Sequence, residues 1–149
     1  MALSAPGPIG THHQIGDFSS GIVSLDEWLK RRALANQASG AARTFAVCEA
    51  DRVVAYFALA SGAVNVAAAP GRFRRNMPDP IPVVVLARLA VDRAYQGQGL
   101  GRAMVRDAAR RVVHAADTIG IRGIIVHISD DAKAFFISRL DLNHRRLSR

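Results

Sequence analysis

A run of alternating glycines sets the tightest limit on how this chain folds. Gly97, Gly99 and Gly101 follow the apolar run at 83–91 and directly precede a helical pattern. Glycine lets the backbone turn sharply and approach a ligand closely. The free N–H groups and the dipole at a helix N-terminus favour a bound anion. The strand, glycine turn and helix therefore predict a phosphate-binding site, to which Arg102 adds a positive charge.

Two common phosphate motifs fit this loop poorly. A P-loop ends in Gly-Lys-Ser or Gly-Lys-Thr, whereas Gly101 is followed by Arg102 and Ala103. A dinucleotide-binding loop requires an acidic residue at the end of the next strand. Here that strand ends at His127 and Ile128, and Asp130 lies beyond it.

The length of 149 residues and the lack of a dividing linker predict a single domain spanning 1–149, and apolar spacing predicts that it is of the α/β class. Leu100, Met104, Ala108 and Val112 recur every four residues, which predicts a helix over 100–117. Ser24 and Glu27 have capping-box spacing, which predicts a helix from Ser24 to about Gln37 that Gly40 ends. The remaining predicted elements are strands at 44–49, 52–60, 83–91 and 122–128, a hairpin turn at 50–51 and a final helix at 131–140. Residues 1–16 are expected to be loosely ordered.

Composition limits the classes of partner and compartment. With 20 basic and 12 acidic residues the net charge is +8, which favours anionic partners, although a merely solvated basic face is the alternative. The single cysteine, Cys48, excludes a disulfide framework or a zinc set within the chain and is expected to be buried. His12 and His13 have no third ligand nearby, so no metal site is predicted.

The apolar run at 81–91 is interrupted by Arg88 and is too short to cross a bilayer, and no leader is evident. A cytoplasmic protein without membrane contact is therefore expected.

The segment at 86–102 resembles the acetyl-CoA signature of GNAT acetyltransferases. Gln96, Gly99 and Gly101 fill the family pattern Gln/Arg-x-x-Gly-x-Gly/Ala. The resemblance implies the GNAT fold, a mixed central β-sheet flanked by helices. It also implies that the loop amides hold the pyrophosphate and that the preceding strand pairs with the pantetheine arm. The implied acetyl-CoA contacts are Leu89, Ala90, Val91, Gln96, Gly97, Gln98, Gly99, Leu100, Gly101 and Arg102.

Within this family the chain is most similar to the GNAT toxins of toxin–antitoxin pairs, over roughly residues 15–136. The similarity is carried by Phe18-Ser-Ser-Gly, Leu25-Asp-Glu-Trp-Leu-Lys-Arg-Arg, the segments at 36–44 and 54–64, and Arg88-Leu-Ala-Val-Asp. It implies an enzyme that acetylates the amino group of aminoacyl-tRNA and so stops translation. It further implies a homodimer and a ribbon-helix-helix antitoxin as partner. Arg72, Arg74 and Arg75 are the expected tRNA contacts.

The C-terminal pattern departs from that of the toxins. Their last helix reads Ala-x-x-Phe-Tyr, and its tyrosine is the general acid that protonates the departing CoA thiolate. The matching position here is Phe136, which has no hydroxyl, and 141–149 is a basic tail in place of further strands. An atypical, shortened C-terminus is therefore expected, for which a truncation or a shifted reading frame would account, and activity is expected to be weakened.

Two alternatives remain open for the function. One is a non-catalytic module that keeps acetyl-CoA, antitoxin or tRNA binding after losing the catalytic tyrosine. The other is an acetyltransferase that acts on a protein or a small-molecule amine.

Overall fold

The computed structural model describes residues 2–64, 80–128 and 131–136. Their strands form one mixed sheet in chain order: β1 and β2, β2 and β3, and β5 and β6 are antiparallel, whereas β4 and β5 are parallel. The predicted α/β class is confirmed. The elements are β1 (Gly7–Pro8), α1 (Val23–Arg31), α2 (Ala33–Ser39), β2 (Arg43–Glu49), β3 (Arg52–Val64), β4 (Ile81–Val91), a 3₁₀ turn (Arg93–Tyr95), α3 (Leu100–Ile119), β5 (Gly123–Ile128) and β6 (Asp131–Phe136).

The chain divides into two compact units, each of which combines two stretches of sequence. The first unit contains Met1–Leu59 and Arg88–Asp107, and the second contains Ala60–Ala87 and Ala108–Arg149. No helix in the described ranges is long and apolar enough to cross a membrane.

Aromatic packing organises the core of the first unit. Phe18 and Tyr56 are almost fully buried and meet edge to face, with 5.6 Å between their ring centroids. Trp28 of α1 stacks on Tyr56 at 5.9 Å. Burying one such side chain contributes about 1.5–3 kcal/mol, so this cluster attaches α1 firmly to β3. Cys48 is buried in β2, which confirms the expectation from its apolar neighbours.

The hairpin of β2 and β3 also confirms the sequence prediction. Its last pair is Glu49 with Arg52, and Ala50 in the turn has a φ of 52°. A positive φ is uncommon for a residue with a side chain and occurs mostly in tight turns.

The expectation of a loosely ordered N-terminus is wrong. β1 pairs with β2, Leu3 forms a bridge to Glu49, and the Ile9 N–H donates to the Thr44 carbonyl at 3.0 Å. Ile9 is 4% exposed. The segment is ordered because it satisfies backbone groups on the open edge of β2 and buries an apolar side chain there.

The predicted capping box at Ser24 is also wrong. α1 starts at Val23 after Ile22, and no side chain caps its first N–H groups. Instead, Asp26 turns back and accepts from the Ser20 N–H at 2.9 Å and from the Ser20 hydroxyl at 2.6 Å. The predicted single helix is interrupted at Arg32, so two helices result. Gly40 ends the second helix with a φ of 80°, as expected.

In the second unit, β5 lies between two partners. It runs parallel to β4 over Val84–Leu86 and antiparallel to β6. The helix expected over 131–140 is therefore wrong for 131–136, and 137–140 lies outside the described residues. Ala132, Ala134 and Phe136 alternate along β6, and pairing from Gly123 to Ile128 satisfies the open edge of β5.

Candidate functional site

The glycine-rich loop follows the 3₁₀ turn and leads into α3. Gly97 and Gly99 have φ values of 81° and 84°, which side-chain-bearing residues adopt only with strain. A Cβ atom added to either would meet no protein atom within 4 Å. A Cβ atom at Gly101 would meet only the Cδ2 atom of Leu89, at 4.0 Å. The glycines therefore border open space in the described part of the chain.

The loop offers a row of unused hydrogen-bond donors. The backbone N–H groups from Gly97 to Arg102 donate no hydrogen bond to a backbone carbonyl in the loops and turns of the described residues. The first bond of this type is made by Ala103, whose N–H donates to the Gly99 carbonyl at 3.0 Å. Consecutive free amides at the start of the 20-residue helix α3 attract an anion through hydrogen bonds and through the helix dipole.

The Gln96 side chain binds within the protein. Its Nε2 atom donates to the carbonyls of Ser20 and Val91, both at 2.9 Å. The Gln96 side chain therefore links the start of the loop to two backbone carbonyls of the protein.

Asp92, the last residue of the Arg88-Leu-Ala-Val-Asp segment, is a structural residue of the site that the sequence motif alone does not assign a role. Asp92 is 4% exposed, and its carboxylate accepts from the N–H groups of Ser19 and Ala94, each at 3.0 Å. Its own N–H donates to the Val54 carbonyl at 2.8 Å. An acidic residue directly after an apolar strand is the sequence signal that marks such an anchor. Asp92 fixes the point at which the chain leaves β4 for the loop.

Both tyrosines of the chain are hydrogen-bonded. The buried Tyr56 hydroxyl donates to the Leu25 carbonyl at 2.6 Å, and burial raises the pKa of Tyr56. The Tyr95 hydroxyl donates to the Glu49 carboxylate, and this bond raises the pKa of Tyr95. The second contact attaches the 3₁₀ turn before the loop to the end of β2.

The end of β4 carries the predicted pantetheine contacts. The described ladder between β4 and β5 ends at Leu86, and β4 continues to Val91. Ala90 is buried in the core, whereas Leu89 and Val91 are half-buried. Arg88 places its guanidinium 4.8 Å from the centre of the Trp28 ring.

The other predicted site residues are only partly described. Arg72, Arg74 and Arg75 lie outside the described residues. Phe136 is the last residue of β6, where its backbone pairs with Gly123. On α3, Arg102, Arg106 and Arg110 are all exposed and lie four residues apart.

The two adjacent histidines take part in the N-terminal turn. The Nδ1 atom of His13 accepts from the Gly10 N–H at 2.9 Å. Burial, and then the neighbouring His12, lower the pKa of His13. No group of three metal-binding side chains occurs among the residues that the structure describes.

Comparison with known proteins gives this site its context. Residues 41–139 match the family model of the acetyltransferase (GNAT) domain. The chain is 55% identical to a "tRNA-acetylating toxin" of Mycobacterium tuberculosis over 135 residues, which is 90% of this chain and 81% of that protein.

Solved structures of the AtaT toxin are similar throughout most of the fold. AtaT complexed with acetyl-methionyl-tRNAfMet has a TM-score of 0.80 and 26% identity, covering 87% of this chain and 80% of that one. AtaTR bound with AcCoA has a TM-score of 0.74 and 26% identity, with coverages of 87% and 78%. A tyrosine-to-phenylalanine mutant of AtaT, bound to the C-terminus of the antitoxin AtaR, has a TM-score of 0.75 and 25% identity, with coverages of 88% and 77%. By its family match and its close toxin relative, the chain belongs to the GNAT acetyltransferases.

Proposed function

We propose that this protein transfers the acetyl group of acetyl-CoA to the α-amino group of an aminoacyl-tRNA and acts as the translation-blocking toxin of a toxin–antitoxin pair. The observation that carries the proposal is the row of amides from Gly97 to Arg102, which have no hydrogen-bond acceptor among the described residues, within a chain 55% identical to a tRNA-acetylating toxin. A GNAT enzyme needs such a row of donors for the cofactor's pyrophosphate.

Acetyl-CoA binds with its pyrophosphate against the amides of Gly97 to Arg102 and its pantetheine arm along Leu89–Val91. Successive N–H groups of an extended strand point to opposite edges. The Asp92 N–H faces Val54, so the Ala90 N–H is expected on that same edge. Leu89 and Val91 then direct their N–H groups to the other edge, which makes them better oxyanion donors than Ala90.

The reaction forms one bond and breaks another. The neutral amine attacks the thioester carbonyl, a tetrahedral oxyanion forms, and its collapse releases the CoA thiolate. The amine loses a proton and the thiolate gains one. A backbone N–H of β4 stabilises the oxyanion, and the tRNA end must hold the amine against the thioester.

The proton donor is the weak part of this site. Phe136 has no hydroxyl, and the hydroxyls of Tyr56 and Tyr95 already donate to Leu25 and Glu49. The raised pKa of each tyrosine makes it a poorer acid. Water is therefore the proposed donor, and turnover is proposed to be weakened.

Charge supports a nucleic-acid acceptor. The net charge of +8 and the exposed row of Arg102, Arg106 and Arg110 suit an RNA backbone. We assign Arg72, Arg74 and Arg75 to the same contact. Following the toxin relatives, we also propose a homodimer in the cytoplasm that a ribbon-helix-helix antitoxin neutralises.

The direct test is mass spectrometry of charged tRNA after incubation with the purified protein and acetyl-CoA. The expected product is aminoacyl-tRNA heavier by one acetyl group. Absence of this product at high enzyme concentration, with acetyl-CoA bound, would refute the proposed reaction.

The Phe136→Tyr variant tests the missing acid in the same assay. General acid catalysis contributes about 10²–10⁴-fold. The variant is expected to raise turnover by a sizeable part of that range, with little change in acetyl-CoA affinity. A native protein already as active as the variant would show that Phe136 does not occupy the acid position, or that another residue or water supplies the proton equally well.

A non-catalytic module is the second candidate. The strand conformation of Asp131–Phe136, where the active toxins are expected to have a helix, favours it. It predicts that native protein and Phe136→Tyr both bind acetyl-CoA and antitoxin but leave every charged tRNA unmodified.

A further inference from the structure

We propose that Gln96 is a positioning residue that holds the pyrophosphate loop in place through the backbone carbonyls of Ser20 and Val91, without touching acetyl-CoA. The inference rests on the proposed acetyl-CoA site and assigns a separate task to one residue beside it. We call Ser19 and Ser20 the anchor segment.

The hydrogen bonds of Gln96 leave it no donor for a ligand. A glutamine side chain has one NH₂ group with two hydrogens. The Nε2 atom donates to the Ser20 carbonyl and to the Val91 carbonyl, each at 2.9 Å. The remaining polar atom, Oε1, is an acceptor, and an acceptor repels a phosphate oxygen. The Gln96 side chain therefore supports the loop rather than binding the pyrophosphate.

The anchor segment is itself held on two sides. The Ser19 N–H donates to the Asp92 carboxylate at 3.0 Å, and the Ser19 carbonyl accepts from the Arg93 N–H at 2.8 Å. The Ser20 N–H donates to Asp26 of α1 at 2.9 Å. Gln96 thus ties the first residue of the loop to a support that is joined to both the end of β4 and the start of α1.

This geometry gives a physical reason for the first position of the motif, where the family has glutamine or arginine. The two side chains share a planar group with several N–H donors, which can serve two carbonyls at once. Methionine has a similar length but no donor. Glutamate would direct a negative charge at two carbonyl oxygens.

The test compares Gln96→Met and Gln96→Arg with the native chain. Gln14→Met is the matched control, since Gln14 is exposed and its side chain has no bond among the described residues. Two quantities are measured: the Kd for acetyl-CoA by calorimetry, and the rate of amide hydrogen exchange over 96–102 in the ligand-free protein. High salt is used for the Kd, so that the added charge of arginine is largely screened.

Gln96→Met is expected to weaken acetyl-CoA binding about tenfold, the order expected for two neutral hydrogen bonds that act partly on the loop. It is also expected to speed exchange over 96–102 before any ligand is added. Gln96→Arg should remain close to the native chain in both measurements, and Gln14→Met should change neither.

Three results would overturn the proposal. Unchanged exchange in Gln96→Met with weakened affinity would mean that Gln96 touches the ligand directly. Native exchange and native affinity in that variant would mean that the two bonds position nothing. If Gln96→Arg bound acetyl-CoA as weakly and exchanged as fast as Gln96→Met, the N–H donors that glutamine and arginine have in common would not be what holds the loop. If the native chain fails to bind acetyl-CoA, the proposed function fails, and the exchange comparison still tests the loop support.

Discussion

At the scale of single residues, both tyrosine hydroxyls already donate hydrogen bonds within the protein and are therefore not available as proton donors to a substrate. Tyr56 is fully buried among Phe18 and Trp28, and Tyr95 bonds a carboxylate at the end of β2. Both hydroxyls serve the fold. The chain has only these two tyrosines, so neither is a free replacement for a hydroxyl at Phe136.

The tyrosine pKa values predict a clear spectroscopic result. At about pH 10, the ordinary tyrosine pKa, half of the tyrosine side chains should be ionised in the denatured protein and a smaller fraction in the native fold. Because the pKa of each tyrosine is higher in the folded than in the unfolded protein, the protonated hydroxyl stabilises the fold. This stabilisation is complete below the unfolded pKa and is lost as the pH rises through the folded pKa. The ionised fraction is measured by ultraviolet absorbance of tyrosinate during pH titration of the native protein and of the denatured protein. Coincident curves would contradict the assigned hydrogen bonds.

Gly101 offers a second test at the residue scale. Its backbone does not have a positive φ, and a Cβ atom there meets only Leu89. Gly101→Glu should therefore fold with a stability close to that of the native chain. It should abolish acetyl-CoA binding, because bulk and negative charge would then occupy the space proposed for the pyrophosphate. Calorimetry that gives an unchanged Kd would place the cofactor elsewhere.

At the scale of elements, the start of α1 depends on a residue inside the helix. Asp26 accepts from the backbone and the hydroxyl of Ser20, whereas Ser24 is exposed and its side chain has no hydrogen bond among the described residues. Asp26→Ala is expected to lower the free energy of unfolding by about 1–2 kcal/mol, the magnitude of a lost cap. Ser24→Ala should change it by less than about 0.5 kcal/mol. Denaturant unfolding of the two variants gives the comparison, and equal losses would restore Ser24 as the cap.

The segment 131–136 shows why the type of an element can be misread. Six residues hold too little periodicity to separate helix from strand when apolar residues lie at both kinds of spacing. The neighbouring edge of β5 decided the outcome, since a paired strand satisfies backbone groups that a helix would leave open.

At the scale of the whole molecule, the charge of +8 predicts salt-dependent RNA binding. Reversing the charges of Arg72, Arg74 and Arg75 should weaken tRNA binding and reduce the slope of log K against log salt by about three, if each contacts one phosphate. Reversal of the exposed Arg31, Arg32 and Arg43 changes the net charge equally and is the control. Equal losses in both triple variants, measured over a range of salt concentrations, would reduce the effect to net charge alone.

Local patterns in the sequence determined much of the fold and the position of the loop. The glycine spacing predicted the turn at 97–101, the four-residue repeat predicted α3, and alternation with a short turn predicted the hairpin of β2 and β3. These elements depend on backbone freedom and on periodic burial, both of which are written into neighbouring residues.

Only the tertiary structure decided how the loop is supported. The contacts of Gln96 with Ser20, of Asp92 with Ser19 and of Tyr95 with Glu49 join residues at least 46 positions apart. The order of the N-terminal segment and the strand at 131–136 likewise come from the open edges of β2 and β5. Hydrogen bonds across such distances depend on which backbone groups remain unpaired after the sheet forms, and no local pattern in the sequence records that.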